Sequence, residues 1–307
     1  MFMLPTSWEI ASLVCKILFY FGAASVVGGS LFLRLYNDGS RFTVKSNIRY
    51  ITLGAFIGFQ GVLFNYLVQI GLVVDNGFFG MFDWSMASIF LNTQVGDITF
   101  FRMAGFVIIF FACLFYSQRI RNLNRPPKQE LYKLLNIITL FAFLLIIFSF
   151  RFSGHISVLS PIAKVAIALH FFSFAAWIGS LYPLYKLTFV RDLDFMYRSM
   201  KKFGNNAIAI VLVLIIAGVL MCFELFHSLS ELFTTAYGQA LLVKLTFVLM
   251  VFAIAALNKL KLTPDLHNEG AVLTLRNSIR LESVVALFIL IVTSYFSTIV
   301  GPVDHSM

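Results

Sequence analysis

The sequence predicts an all-α integral membrane protein with eight transmembrane helices. Of its 307 residues, 60% are hydrophobic and 12% are charged, and 36 are phenylalanine. Apolar runs of about 20 residues, long enough to cross a bilayer as a helix, recur along the chain. We expect one transmembrane domain over residues 1–307, with spans at residues 10–33, 50–74, 99–118, 134–152, 162–186, 205–226, 238–258 and 283–300.

Basic residues mark one side of this bundle. Most of the 23 lysines and arginines fall in the loops after spans one, three, five and seven, whereas the opposite loops are acidic. Under the positive-inside rule the basic loops lie in the cytoplasm, so both termini face the periplasm of a bacterial inner membrane. Because this distribution explains the net charge of +9, no nucleic acid partner is expected.

The first four spans each carry a local signal. Span one ends in the small residues Gly29-Ser30, and span two holds Gly54-x-x-x-Gly58, a spacing that lets helices approach closely. Span three begins after Thr93-x-x-Gly96 and includes the cation Arg102. Span four leads into a Gly-His pair whose histidine is His155.

The last four spans carry signals of the same kind. Ser160 caps span five and Pro161 starts it, at a position where the missing N–H is no loss. Span five then holds His170 and Trp177. The remaining spans carry Met221, Cys222 and His227 at the end of span six, Lys244 in span seven, Glu282 at the start of span eight, and His305 after it.

Matching segments in the two halves indicate an internal repeat. Gly29-Ser30-Leu31-Phe32 matches Gly179-Ser180-Leu181-Tyr182, and Thr93-x-x-Gly96-x5-Arg102 matches Thr235-x-x-Gly238-x5-Lys244. His155 and His305 follow spans four and eight. We therefore expect a parallel duplication of about residues 1–155 and 156–307. Spans one and five are expected to meet through their small residues.

Histidines gather on the predicted periplasmic half, which indicates a metal site. An ionisable side chain inside a span is unfavourable, so His170 is a functional hypothesis by default. Imidazole and thioether together suit copper, and thioether favours Cu(I). The alternatives are a hydrogen-bonded core histidine, solvated loop histidines and apolar packing. The candidate metal ligands are His155, His170, His305, His227, Met221 and Cys222.

Four other residues are expected to support this site. Arg102 and Lys244 either form ion pairs that lock the bundle or set a fixed positive charge beside the metal. Glu282 is either an acid on the exit side, for a metal or a proton, or the partner of Arg276 or Arg280. Trp177 lies near mid-span.

The sequence resembles the CopD family of copper resistance proteins. The resemblance rests on SGH at His155, HFFSFAAWIGSL in span five, TAYGQALLVKLTFVLMVFAIAALN in span seven and RNSIRLESVVALFILIVTSYFSTIVGP in span eight. Ser180 stands where the family has a second glycine. The resemblance implies a multi-pass inner-membrane protein that handles copper, often with a periplasmic carrier of the CopC type.

Three functions remain open at this point. The protein either transports copper taken from the periplasmic side, as Cu(I) or Cu(II), or binds it without transport and stores, oxidises or hands it off there. A cytochrome-like haem site is disfavoured because only His170 lies clearly inside a span. A transporter or binding protein is expected rather than an enzyme.

Overall fold

The predicted all-helical architecture is confirmed. The computed structural model describes residues 5–36, 41–121, 129–152, 159–226, 228–268 and 270–300. Within them, eight helical segments are long and apolar enough to cross a membrane. These spans, numbered one to eight below, are Ser7–Leu35, Phe42–Val74, Gln94–Arg121, Tyr132–Phe152, Pro161–Leu187, Leu193–Leu225, Ala236–Leu262 and Ala271–Val300.

Three spans begin well before their apolar runs. The helix of span two begins at Arg41, that of span six at Leu193 and that of span eight at Ala271. Each extension mixes basic and polar residues with apolar ones, so it does not read as an apolar run, yet its backbone continues the helix. At span six the start is fixed by Asp192, whose carboxylate accepts a hydrogen bond from the Phe195 N–H at 2.8 Å.

We use two names for the ends of the bundle. The basic end carries the loops after spans one, three, five and seven, and the acidic end is the opposite one. These names describe the molecule alone, because the orientation in a cell is a prediction from loop charge.

Span one packs against spans two, four, five and eight, so it lies at the centre of the bundle. Its contacts with spans two and five depend on glycine. A Cβ on Gly22 would lie 2.5 Å from the Cα of Gly58, and one on Gly28 would overlap the backbone of Gly179. The expected small-residue contact between spans one and five is thus confirmed.

Span five is interrupted at this crossing. Its first helix is Pro161–Ile178 and its second is Leu181–Leu187. The hydroxyl of Tyr50 in span two donates to the Gly179 carbonyl at 3.1 Å, and Ser180 Oγ donates to the Ala176 carbonyl at 2.7 Å. These side chains satisfy backbone oxygens at the break, which removes the main penalty of interrupting a helix inside a membrane.

The entries to spans three and seven are built alike. A short helix precedes each one, Trp84–Leu91 before span three and Glu231–Thr234 before span seven. The glycine of each Thr-x-x-Gly sequence then packs against that short helix, Gly96 on Leu91 and Gly238 on Glu231 and Leu232. This local match is what a duplication would produce, and the duplication as a whole stays a prediction.

Candidate metal site

His170 is held in one orientation by a backbone carbonyl of span six. Its Nδ1 lies 3.1 Å from the carbonyl oxygen of Leu214. A carbonyl oxygen only accepts, so Nδ1 carries the hydrogen and donates it. The neutral ring then keeps its lone pair on Nε2, as a metal-binding histidine with an orienting partner does.

Gly218 of span six lies against the His170 ring. A Cβ on Gly218 would lie 3.4 Å from both Cε1 and Nδ1 of His170, so the ring lies directly against the backbone of span six. A Cβ at this distance makes an ordinary contact, so alanine would fit here, whereas a longer side chain would compete with the imidazole for space. The close contact of spans five and six at Gly218 therefore fixes how far His170 extends.

One soft ligand, Cys222, follows on the same face of span six. Leu214, Gly218 and Cys222 are spaced by four residues, so they share one face of the helix. Cys222 lies about 6 Å further along the helix axis than Gly218, toward the acidic end. Its thiol is free and half-buried, and Met221 precedes it. His170 and the predicted soft ligands thus lie about one helical turn apart in depth.

Lys244 of span seven lies beside these groups. Its charge is near enough to act on both His170 and Cys222. Its ammonium lies 5.5 Å from the centroid of the Phe296 ring, an arrangement that stabilises a cation by its attraction to the aromatic face.

Arg102 is also held by an aromatic cage. Its Nε donates to Ser149 Oγ at 2.9 Å, and its guanidinium carbon lies 4.4 Å from the Phe19 ring centroid and 5.2 Å from that of Phe150. Lys16 of span one acts electrostatically on Arg102.

No ion pair locks these cations in the part of the chain that the structure describes. Lys16 donates from Nζ to the Ser297 carbonyl at 2.9 Å, and the other two cations use aromatic faces and a hydroxyl. Of the acids considered as partners, Glu224 instead accepts the Ser160 N–H at 3.0 Å. Lys244 is the cation whose charge acts on His170, and the role of Arg102 and Lys244 in the site stays a prediction.

The ends of spans five and six are joined at the acidic end. Ser160 caps span five as expected, because its Oγ accepts the Ala163 N–H at 3.2 Å. The backbone of Ser160 in turn donates to Glu224 near the end of span six. The segments that lead to His155 and His227 therefore start from neighbouring points of the bundle.

Three predicted ligands lie outside the described residues, namely His155, His227 and His305. Their position relative to His170 stays a prediction. Among the residues that are described, no three or more His, Cys, Asp or Glu side chains come together as a metal-binding group. The candidate site as described is therefore one oriented histidine, with the Cys222 thiol about one helical turn further along the facing side of span six.

The supporting acid Glu282 lies in the basic half of the bundle. It is 3% exposed and accepts a hydrogen bond from Asn258 Nδ2 at 2.9 Å. Trp177, also 3% exposed, lies beside this carboxyl and stacks on Phe252, with 5.3 Å between the two ring centroids. Span five thus contacts span six through His170 and reaches span eight through Trp177.

Neither arginine considered as a partner of Glu282 pairs with it. Arg276 donates to Thr188, from Nε to Oγ1 at 3.0 Å and from a terminal nitrogen to the carbonyl at 2.8 Å. Arg280 donates to the Tyr185 hydroxyl at 2.6 Å. The amide of Asn258, which shares the depth of Glu282, is the partner instead.

Sequence reasoning missed three contributors to this region. Lys16 is a cation within the first apolar run. It could have been identified in the same way as Arg102, because a charged side chain inside a span is unfavourable and therefore indicates a function. The Leu214 carbonyl and Gly218 carried no such signal, because their role depends on how span six is rotated against span five.

Comparison with known proteins supports the CopD resemblance. The family model described as copper resistance protein D matches residues 197–296, which cover most of spans six to eight. A Bacillus subtilis (strain 168) protein described as copper transport protein CutJ is 27% identical over 157 residues, 49% of this chain. The matched part spans only 28% of that relative's length. No solved structure matches.

Proposed function

We propose that this protein binds copper inside its membrane bundle, at a site built on His170. The observation that carries the proposal is the ring orientation of this histidine. The Leu214 carbonyl takes the Nδ1 hydrogen, which leaves Nε2 as a metal-binding atom. The similarity to a copper resistance family and to a copper transport protein supports copper as the metal.

The nearby ligands favour Cu(I). Cys222 and Met221 lie about one turn from His170 toward the acidic end, and thiolate and thioether are ligands that Cu(I) prefers. His155, His227 and His305 belong to this end in the predicted topology, and we propose that they complete the entry side. The adjacent Lys244 limits the positive charge that the site accepts, so we expect one ion rather than several.

We further propose that copper enters from the periplasmic side of a bacterial inner membrane. The acidic end is poor in lysine and arginine, and the positive-inside rule places such an end outside the cytoplasm. A periplasmic carrier of the CopC type is the proposed donor. Transfer from a carrier keeps free copper low, and the receiving histidine and sulfur ligands lie at that end.

Transport across the membrane is the favoured activity, and copper handling without transport is the second candidate. The name of the Bacillus relative supports transport. The second candidate is supported by the uneven ligand distribution, because the soft ligands described near His170 lie toward the acidic end, whereas Glu282 and Asn258 are hard ligands in the basic half.

Copper titration tests the binding proposal. Purified protein in lipid nanodiscs is titrated with Cu(I) against a coloured chelator, using wild type and His170→Ala. His267→Ala is the matched control, because that histidine lies at the basic end beside Tyr197. We expect the affinity to fall at least about tenfold in His170→Ala and to stay unchanged in the control. Equal affinities in all three proteins would refute the proposal.

Reconstituted vesicles separate the two activities. If the protein transports copper, vesicles with wild-type protein accumulate the ion in the lumen and vesicles with His170→Ala do not. If it only handles copper, the wild type retains bound ion without accumulation. Detection by a chelator sealed inside the vesicle distinguishes bound from transported metal.

A further inference from the structure

A buried carboxyl and a buried amide face each other in the basic half of the bundle. Glu282 of span eight accepts a hydrogen bond from Nδ2 of Asn258 at 2.9 Å, and Trp177 of span five interacts with the same carboxyl. The amide donor and the indole beside this acid are both neutral groups. The site therefore joins three spans without supplying a positive charge.

The basic residues nearby are engaged elsewhere. Span eight packs against spans one, five and seven. On these elements, Lys259 donates to the Gly204 carbonyl and to Asn205 Oδ1, both at 3.0 Å, and Lys186 lies over the rings of Tyr182 and Phe189. Arg276 and Arg280 bind Thr188 and Tyr185. Two further cations on these spans, Lys16 and Lys244, lie toward the acidic end, where they act on Arg102 and Cys222. Arg34, Lys261, Asp265 and His267 are exposed.

The amide of Asn258 leaves one atom unsatisfied. Its Oδ1 is buried and has no hydrogen-bond partner. Such an acceptor, buried and left unpaired, destabilises the folded protein. An ionised Glu282 cannot relieve this, because a carboxylate has no hydrogen to donate.

A protonated carboxyl would satisfy both atoms of the amide. Its carbonyl oxygen accepts from Nδ2, as observed, while its O–H donates to Oδ1. This is the paired arrangement of a carboxylic acid with a primary amide. It also removes an uncompensated negative charge from a membrane interior, where such a charge is strongly disfavoured.

We propose that Glu282 and Asn258 form a proton-binding site, in which the carboxyl holds a proton and donates it to Oδ1 of the amide. The ligand is a proton, and the site is separate from the candidate copper ligands at His170. It gives the basic half of the bundle a group that changes charge by one unit when it gains or loses that proton.

The backbone at Asn258 has an unusual form. Asn258 begins a π-helical segment, Asn258–Leu262, which the Thr263 N–H closes by donating to the Asn258 carbonyl at 2.8 Å. Single π-helical turns often mark functional sites, because they are wider and less stable than α-helical turns. Here the turn lies between the buried site and the basic end, where a proton would exchange with water.

Infrared spectroscopy of copper-free protein in lipid nanodiscs tests the site. A protonated carboxylic acid absorbs in its own carbonyl-stretch region, apart from carboxylates and amides. At neutral pH we expect wild type to show such a band and Glu282→Gln to lack it. Glu224→Gln, which removes a carboxylate exposed at the acidic end, should retain it. Because no copper is present, failure of the copper proposal leaves this result standing.

A second variant keeps the test decisive if one of the two variants fails to fold. Glutamine at position 282 can still pair with the Asn258 amide, so we expect Glu282→Gln to fold. Asn258→Leu removes the acceptor and should shift the band to higher frequency while Glu282 remains. Identical spectra for wild type and Glu282→Gln, or for wild type and Asn258→Leu, would overturn the proposal.

Discussion

The close crossing of spans one and five predicts that one added methyl group strongly lowers the stability of the protein. In Gly28→Ala the new Cβ would overlap the carbonyl carbon and Cα of Gly179 and the nitrogen of Ser180. All three atoms are backbone, so no side chain can rotate away and the two helices must separate. Their separation also disturbs the buried Ala24, whose carbonyl lies against Gly179.

The expected magnitude follows from this geometry. Overpacking a core typically destabilises it by about 1–3 kcal/mol, and a clash between two backbones belongs at the upper end. We expect Gly28→Ala to lower the free energy of unfolding by about 3 kcal/mol. The matched control is Gly80→Ala, because its nearest neighbour would lie at 3.4 Å, an ordinary contact distance.

The assay is unfolding of the purified protein in mixed micelles by increasing SDS, followed by tryptophan fluorescence. Trp177 lies in the bundle core and reports on the packing of span five. The control should unfold close to wild type, and Gly28→Ala should unfold at clearly lower SDS. If Gly28→Ala matched the control, spans one and five would not cross as closely as described.

Two further substitutions test the copper site. Cys222→Ser should weaken Cu(I) binding about tenfold or more, because a hydroxyl is a poor ligand for a soft ion, whereas Cys113→Ser, at a buried thiol away from the site, should not. Equal losses in both variants would indicate general destabilisation instead. Lys244→Gln removes the charge beside His170 and should tighten Cu(I) binding up to about tenfold, with Lys186→Gln at the basic end as control. Weaker binding in Lys244→Gln would show that the ammonium supports the site.

The eight helical spans could be predicted because their signal is strong and local. Each span is an apolar run, and the membrane allows few alternatives to a helix. The helix ends were harder to predict, because the extensions that begin at Arg41, Leu193 and Ala271 are helical without forming a continuous apolar run. The break at Gly179 depends on the partner helix and has no hydropathy signal.

The candidate site was predictable in part. His170 could be predicted as a candidate ligand because a histidine inside a span is rare. The sulfur-containing residues at the end of span six could be predicted as candidates from their residue types. Whether these residues lie near His170 depends on how span six is rotated about its axis. The contacts of Gly218 and the Leu214 carbonyl with His170 show that rotation, and they are known only from the structure. The unpaired Oδ1 of Asn258 likewise became visible only once neighbouring atoms were in place.

A density map of copper-loaded protein, with the metal located by its anomalous scattering, tests the central proposal most directly. We expect one strong peak at bonding distance from Nε2 of His170, on the side of the ring away from the Leu214 carbonyl. A peak elsewhere in the bundle, or no peak from protein saturated with Cu(I), would contradict a copper site built on His170.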